Sequence, residues 1–291
     1  MNNLKGFLAL ISTALILGTF GVLIRQLAVM FTDPGQVLAR SFFATLIITA
    51  IVLYRKMNPF QLDKKNVVYV GVFSLVFSLS ILSFTFSANM IKVTNSLFML
   101  FVGSLTSTAL LGKIFFKESF SARHITSLLL VLLGLCFFVY PFQLESVSMG
   151  LVFGIGAGIF EGSAHTLRKL MKDVKREVVV FYQSLSGVIL ATAFLLVSGQ
   201  QAVTEFHMSA VLVAILFGAL LVSIGYLLMY GFSHFDVNWG TIILATELFF
   251  AMIINMVFLN EFPTEFELIG GLLIFSGTVV TSLSFNFKPQ S

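Results

Sequence analysis

Two stretches, FFKESFSARHITSLLLVLLGL (Phe115–Leu135) and FLNEFPTEFELIGGLLIFSGT (Phe258–Thr278), lie 143 residues apart and decide how this chain is read. In each, an apolar run stops at a glutamate (Glu118, Glu261), a short polar turn follows, and a second apolar run carries a glycine at the matched place (Gly134, Gly277). The same shift superposes Val37 on Val180, Ser41 on Ser184, Thr49 on Thr192 and Asn95 on Asn238, and a shift of 144 superposes Gly6 on Gly150 and Gly18 on Gly162. Apolar matches between greasy segments mean little. Matched Gly, Asn and Glu are harder to obtain from composition, so the chain reads as a duplication with halves 1–143 and 144–291.

Working outward from the repeat, 58% hydrophobic residues, 10% charged residues and 34 Phe in 291 describe a chain that uses lipid as its solvent. A span needs about 20 mostly apolar residues. Ten such runs occur, near 5–25, 35–54, 67–88, 93–115, 123–141, 148–168, 178–198, 209–232, 238–259 and 266–286, leaving almost nothing for a soluble domain. Lipid tolerates no unpaired backbone polar groups, and barrel strands are about half this length and alternate, so the spans are expected to be helices. The first run begins like a signal peptide, but its apolar part is long and no small-x-small cleavage site follows; it is read as a retained span. The single Cys136 leaves no disulfide framework and no thiolate metal cluster. The expectation is an all-α membrane protein of ten transmembrane helices.

Alternating the connections across the bilayer places Lys5, Arg55, Lys56, Lys64, Lys65, Lys113, Lys117, Arg123, Arg168, Lys169, Lys172, Lys175, Arg176 and Lys288 on one side. Arg25 and Lys92 fall on the other, with Asp33, Glu145, Glu205, Glu261, Glu265 and Glu267. The positive-inside rule therefore puts both termini in the cytoplasm of a multi-pass cytoplasmic-membrane protein. The net charge of +4 is explained by this topology and is no nucleic-acid signal. Each half holds five spans, an odd number, so the second half is inverted relative to the first. Inverted repeats with a site at their interface are a construction of secondary transporters, and one such chain suffices for a complete carrier.

The two stretches quoted at the outset resemble the closing motif of the EamA family in the drug/metabolite transporter superfamily: a Gly-Glu pair, a small polar turn and a glycine-spaced helix. The early ILGTFGVLIRQL and PGQVLARSFFATLI, with Arg40, look like the family's opening, so the resemblance covers essentially the whole chain. Lys117 and Asn260 depart from it, standing where a Gly usually precedes the Glu, and Ser127 stands where the second half keeps Gly270. The resemblance implies a ten-helix carrier of small organic metabolites with a central cavity between the halves and outlying fifth and tenth helices.

Charged groups inside the spans are the candidate site. In GIFEGSAHTLRKL (Gly158–Leu170), Glu161 and His165 are i and i+4 on one helical face, able to hydrogen-bond, and Arg168 continues that face. Glu161 lies just past the middle of its span and Glu247 close to the middle of the ninth. An ionised carboxylate at such depth costs several kcal/mol unless paired, hydrated or protonated, which favours a cavity-facing function over a structural polar group, though both readings stand. For Arg40, snorkelling, pairing with Asp33 and contact with a substrate anion are all open. Asn95 and Asn238 open spans four and nine at equivalent places, where a helix start and a cavity-lining group both fit. Glu118 and Glu261 are expected to be structural, and Thr264–Glu267 has the form of a capping box. Gly158 and Gly162 have the spacing that admits a neighbouring helix closely.

Two function classes follow. A secondary carrier would use Glu247 and Glu161 to bind a cationic group or a proton, with His165 adjusting the charge; with Arg40 these acids would bracket a zwitterion, so an amino acid or amine-bearing metabolite is the expected substrate. The alternative is an intramembrane enzyme acting on a lipid, with Glu and His as acid and base. Against it, EGSAH is not the metalloprotease His-Glu-x-x-His, and no nucleophile is paired with a base. No P-loop occurs, so an ATP-driven pump is excluded on this chain. The expected partners are the bilayer, a small-molecule substrate and, in a coupled carrier, protons; no metal, cofactor or enzymatic role is expected.

Overall fold

A computed structural model describes residues 2–118, 121–138, 140, 149–260 and 262–283. Glu145, Glu261 and Lys288 lie outside the described residues. Within the described residues each apolar run read from the sequence forms helix: α1 (Asn2–Gly18), α2 (Phe20–Leu27), α3 (Asp33–Tyr54), α4 (Lys64–Met90), α5 (Val93–Phe116), α6 (Ala122–Phe138), α7 (Met149–Leu170), α8 (Arg176–Ser198), α9 (Met208–Phe232), α10 (Val237–Leu244), α11 (Thr246–Leu259) and α12 (Glu265–Leu283). Among the described residues, seven helical segments are long and apolar enough to cross a membrane, counting α1 with α2 and α10 with α11 as single segments. Large apolar side chains such as Leu46, Ile114, Ile189 and Leu212 stay exposed on the outside of the bundle, which suits contact with lipid.

The first and ninth runs are broken, at Thr19 and Ala245. Neither break contains a proline. At each, a threonine hydroxyl takes the carbonyl three residues back, Thr19 Oγ1 to Ile16 O at 2.7 Å and Thr246 Oγ1 to Ile243 O at 2.7 Å. Such bonds compete with the helical ladder and bend it. Two further helices end identically: α5 at Lys117 and α11 at Asn260 both turn left-handed, with φ of 54° and 53°. These are the positions where the resembled family carries glycine, and the conformation is why glycine suits them. The capping box at α12 forms as expected, with Thr264 N donating to Glu267 Oε2 (2.8 Å) and Glu267 N to Thr264 Oγ1 (3.2 Å).

Packing interleaves helices from before and after the middle of the chain. α7 lies between α4 and α5. A Cβ on Gly158 would come within 2.8 Å of Ser104 N, and one on Gly103 within 2.9 Å of Ile159 N, so the α5 and α7 backbones touch directly. From α4, Ser80 Oγ donates to Ala157 O (2.9 Å) and Ser87 Oγ to Gly150 O (2.7 Å). α3 packs on α8 and α9, α1 on α9 and α11, and α6 on α12. In the last pair a Cβ on Gly134 would meet Gly270 O at 2.6 Å. Small residues let these backbones approach where no hydrophobic effect between helices drives association.

Candidate functional site

The tight α5–α7 crossing fixes the azimuth of α7 and so the face that carries Glu161, His165 and Arg168. His165 and Arg168 are buried and Glu161 is half-buried. The spacing allowed a Glu161–His165 bond, but His165 turns to Arg168 instead, Nη1 lying 2.8 Å from His165 Nδ1. A guanidinium has no lone pair to offer, so Nδ1 accepts and the ring proton sits on Nε2. The imidazole stacks on Phe232 of α9, with centroids 4.5 Å apart at 29°.

Arg168 is flanked by two rings of α4, its Cζ 5.0 Å from the Phe73 centroid and 5.2 Å from that of Phe77. Its Nε and Nη2 are buried without a hydrogen-bond partner. Taking a cation out of water costs several kcal/mol. Face-on aromatic contact returns about 2 kcal/mol, and one bond to a neutral imidazole about 1 kcal/mol. Glu161, two turns back along α7, favours this charge through space without an ion pair to it among the described residues.

Glu247 enters from the first turn of α11, just past the break at Ala245, and is buried. Its charge and that of Glu161 interact. Neither carboxylate is held by a hydrogen bond among the described residues. Two acids whose charges interact in a low-dielectric interior resist ionising together. Both belong to the second half. The position matching Glu247 in the first half is Ser104, wedged against Gly158 and Gly162.

The other residues singled out from the sequence lie apart from this pair. Arg40 is buried on α3, donating from Nη2 to Thr85 Oγ1 (2.6 Å) and Ile81 O (3.2 Å), with its Cζ 4.6 Å from the Phe217 centroid. It does not meet Asp33, which accepts instead from Asn89 Nδ2 at 2.6 Å. Asn95 is half-buried three residues after Lys92, the N-cap of α5. Asn238 likewise follows the N-cap of α10, Asp236, so neither asparagine caps its helix.

Glu118 reaches across to the start of α10, an arrangement the sequence did not reveal. Its Oε1 accepts from Val237 N (2.8 Å) and Lys169 Nζ (3.0 Å), and its Oε2 from Asn238 Nδ2 (2.7 Å) and Asn238 N (3.3 Å). Lys169 Nζ also donates to Asp236 Oδ1 at 2.7 Å. The carboxylate thus caps a helix of the other half, and Asn238 is spent on that cap. The signal that pointed here was the recurrence of Glu118 and Asn238 in the repeat. Among the described residues, no group of three or more His, Cys, Asp or Glu is placed to hold a metal.

The model of the EamA-like transporter family matches residues 4–140 and again residues 148–283. A crystal structure of another protein superposes with a TM-score of 0.76 at 16% identity, covering 97% of this chain and 98% of that one, a likeness of fold. No curated protein sequence matches the chain.

Proposed function

Because the chain belongs to the EamA-like transporter family, we propose that it is a secondary carrier that moves an amino acid or another amine-bearing metabolite across the cytoplasmic membrane by alternating access. In this reading the chain has ten spans, 1–143 and 144–291 are inverted repeats, and both termini lie in the cytoplasm. The pair Glu161 and Glu247 binds the substrate ammonium or a coupling proton. The observation that carries it is that these two carboxylates, Glu247 buried and Glu161 half-buried, interact through their charges and lack hydrogen-bond partners among the described residues. An acid kept at that depth only for helix packing would have a donor on it. Exchange of the substrate ammonium for a proton keeps the net charge of the two acids plus their bound cation at −1, so binding and release leave the charge at that depth unchanged.

The test is flux of radiolabelled amino acids and amines into proteoliposomes. Wild type is expected to transport at least one amine-bearing compound, and Glu161→Gln and Glu247→Gln to fold, to transport at least about tenfold more slowly and to lose the pH dependence of the flux. Wild-type flux with an unchanged pH profile in either variant makes that carboxylate structural. Transport of sugars or nucleotides without amines refutes the substrate class.

A further inference from the structure

The sequence offered Arg40 as the group to receive a substrate anion; the structure assigns that role to Arg168. Resting on the carrier reading above, we propose that the free edge of the Arg168 guanidinium is the carboxylate-binding half of the substrate site, so that the cargo carries a carboxylate as well as an amine. Arg168 is 2% exposed, and two of its donors, Nε and Nη2, have no partner. Those two N–H groups lie on the same edge of the guanidinium and point the same way, the fork that receives the two oxygens of one carboxylate in parallel. The opposite nitrogen, Nη1, is engaged by His165 Nδ1 at 2.8 Å, which holds the plane so that the free edge keeps its direction. Phe73 and Phe77 lie against the guanidinium face, and the buried edge is the part of the group left without a partner.

Arg40 presents no such fork. Its Nη2 is already committed to Thr85 Oγ1 and Ile81 O, leaving Nε alone on that edge. A carboxylate suits Arg168 better than a phosphate. One edge supplies two donors for two oxygens, whereas a phosphate brings a third oxygen and a charge near two beside Glu161. Glu161 and His165 are separated by one helical turn, and the guanidinium reaches back to His165, so the anion site lies about 5 Å further along α7 than the acids that take the amine. That gives the cargo a polarity: ammonium towards Glu247, carboxylate towards the α8 end of α7.

The experiment compares leucine, phenylalanine and 4-aminobutyrate with their primary amides, measured by thermal stabilisation of the purified protein and by competition for flux. Wild type is expected to be stabilised by at least one free acid and not by its amide. Arg168→Gln is expected to lose roughly 10- to 100-fold in affinity for the acid and to bind acid and amide alike. Arg168→Lys, which keeps the charge without the fork, is expected to fall between them and guards against misfolding of the Gln variant. Equal stabilisation of wild type by acid and amide overturns the proposal, as does acid selectivity kept in Arg168→Gln and lost in Arg40→Gln. Amine flux in wild type with no preference for acids overturns the role of Arg168 alone. Absence of all amine flux overturns the carrier reading with it.

Discussion

Replacing Glu118 with Gln tests whether the end of α5 is fastened to the start of α10. The carboxylate accepts four hydrogen bonds from three residues, and its side chain is 5% exposed. Gln keeps the shape and one acceptor but turns a donor towards Asn238 or Lys169. Losing the charged cap on α10 costs about 1–2 kcal/mol. Leaving the buried Asn238 amide without its acceptor adds about 1 kcal/mol. The ion pair with Lys169, whose side chain is 21% exposed, adds about 0.5 kcal/mol after screening. The sum is about 2.5–3.5 kcal/mol, which at 2–4 °C per kcal/mol lowers the melting temperature by roughly 5–14 °C. Trp239 is the only tryptophan in the chain and follows Asn238 directly, so intrinsic fluorescence reads the transition at the cap itself. Its ring stacks on His124 with centroids 3.6 Å apart, and its emission reports whether α10 has shifted in the folded state. A melting point within 1 °C of wild type, with unchanged emission, refutes the reasoning.

Lys117→Gly relieves a left-handed residue and is expected to raise stability by about 0.5–1 kcal/mol, read in the same melting assay; a destabilised variant contradicts it. Gly158→Ala drives a Cβ into the α5 backbone at Leu100 and Ser104, and about 1–3 kcal/mol of lost stability is expected, again by melting temperature. In a Cys136→Ser background, single cysteines at the exposed positions 64 and 172 should label with impermeant maleimide only from inside. A cysteine at the exposed position 205 should label only from outside, and labelling of all three from one side overturns the inverted topology.

Helices and mid-membrane acids were legible in the sequence because lipid is an unforgiving solvent: twenty apolar residues force a helix, and one Glu among them stands out. Gly158 and Gly162 were legible for the same reason, since small residues at i, i+4 have few uses other than close packing. The partners of the polar groups were not. His165 chooses Arg168 over Glu161, though both spacings suit one helical face, because the choice depends on side-chain reach and on Phe73, Phe77 and Phe232 arriving from distant helices. Asp33 takes Asn89, and Glu118 takes Lys169, Val237 and Asn238, 51, 119 and 120 positions away, through relative helix heights that periodicity does not encode. The break at Ala245 was also hidden, because a hydroxyl competing for one carbonyl leaves no proline or glycine signature of its own, and Gly18 beside the break at Thr19 reads equally well as a packing residue.

Those breaks divide the molecule mechanically. Gly18, beside the first break, lies on Phe250 and Ala251 of α11, so the two interrupted segments bear on one another, each able to flex where its ladder is weakened. α5 and α7 are unbroken and meet backbone to backbone, forming a stiff strut. The Glu161 side chain therefore rides on the rigid member and Glu247 on the compliant one. A rotation of α11 about Ala245 would move one acid relative to the other, and the stiffness of the α5–α7 contact would put that motion in α11 rather than in α7.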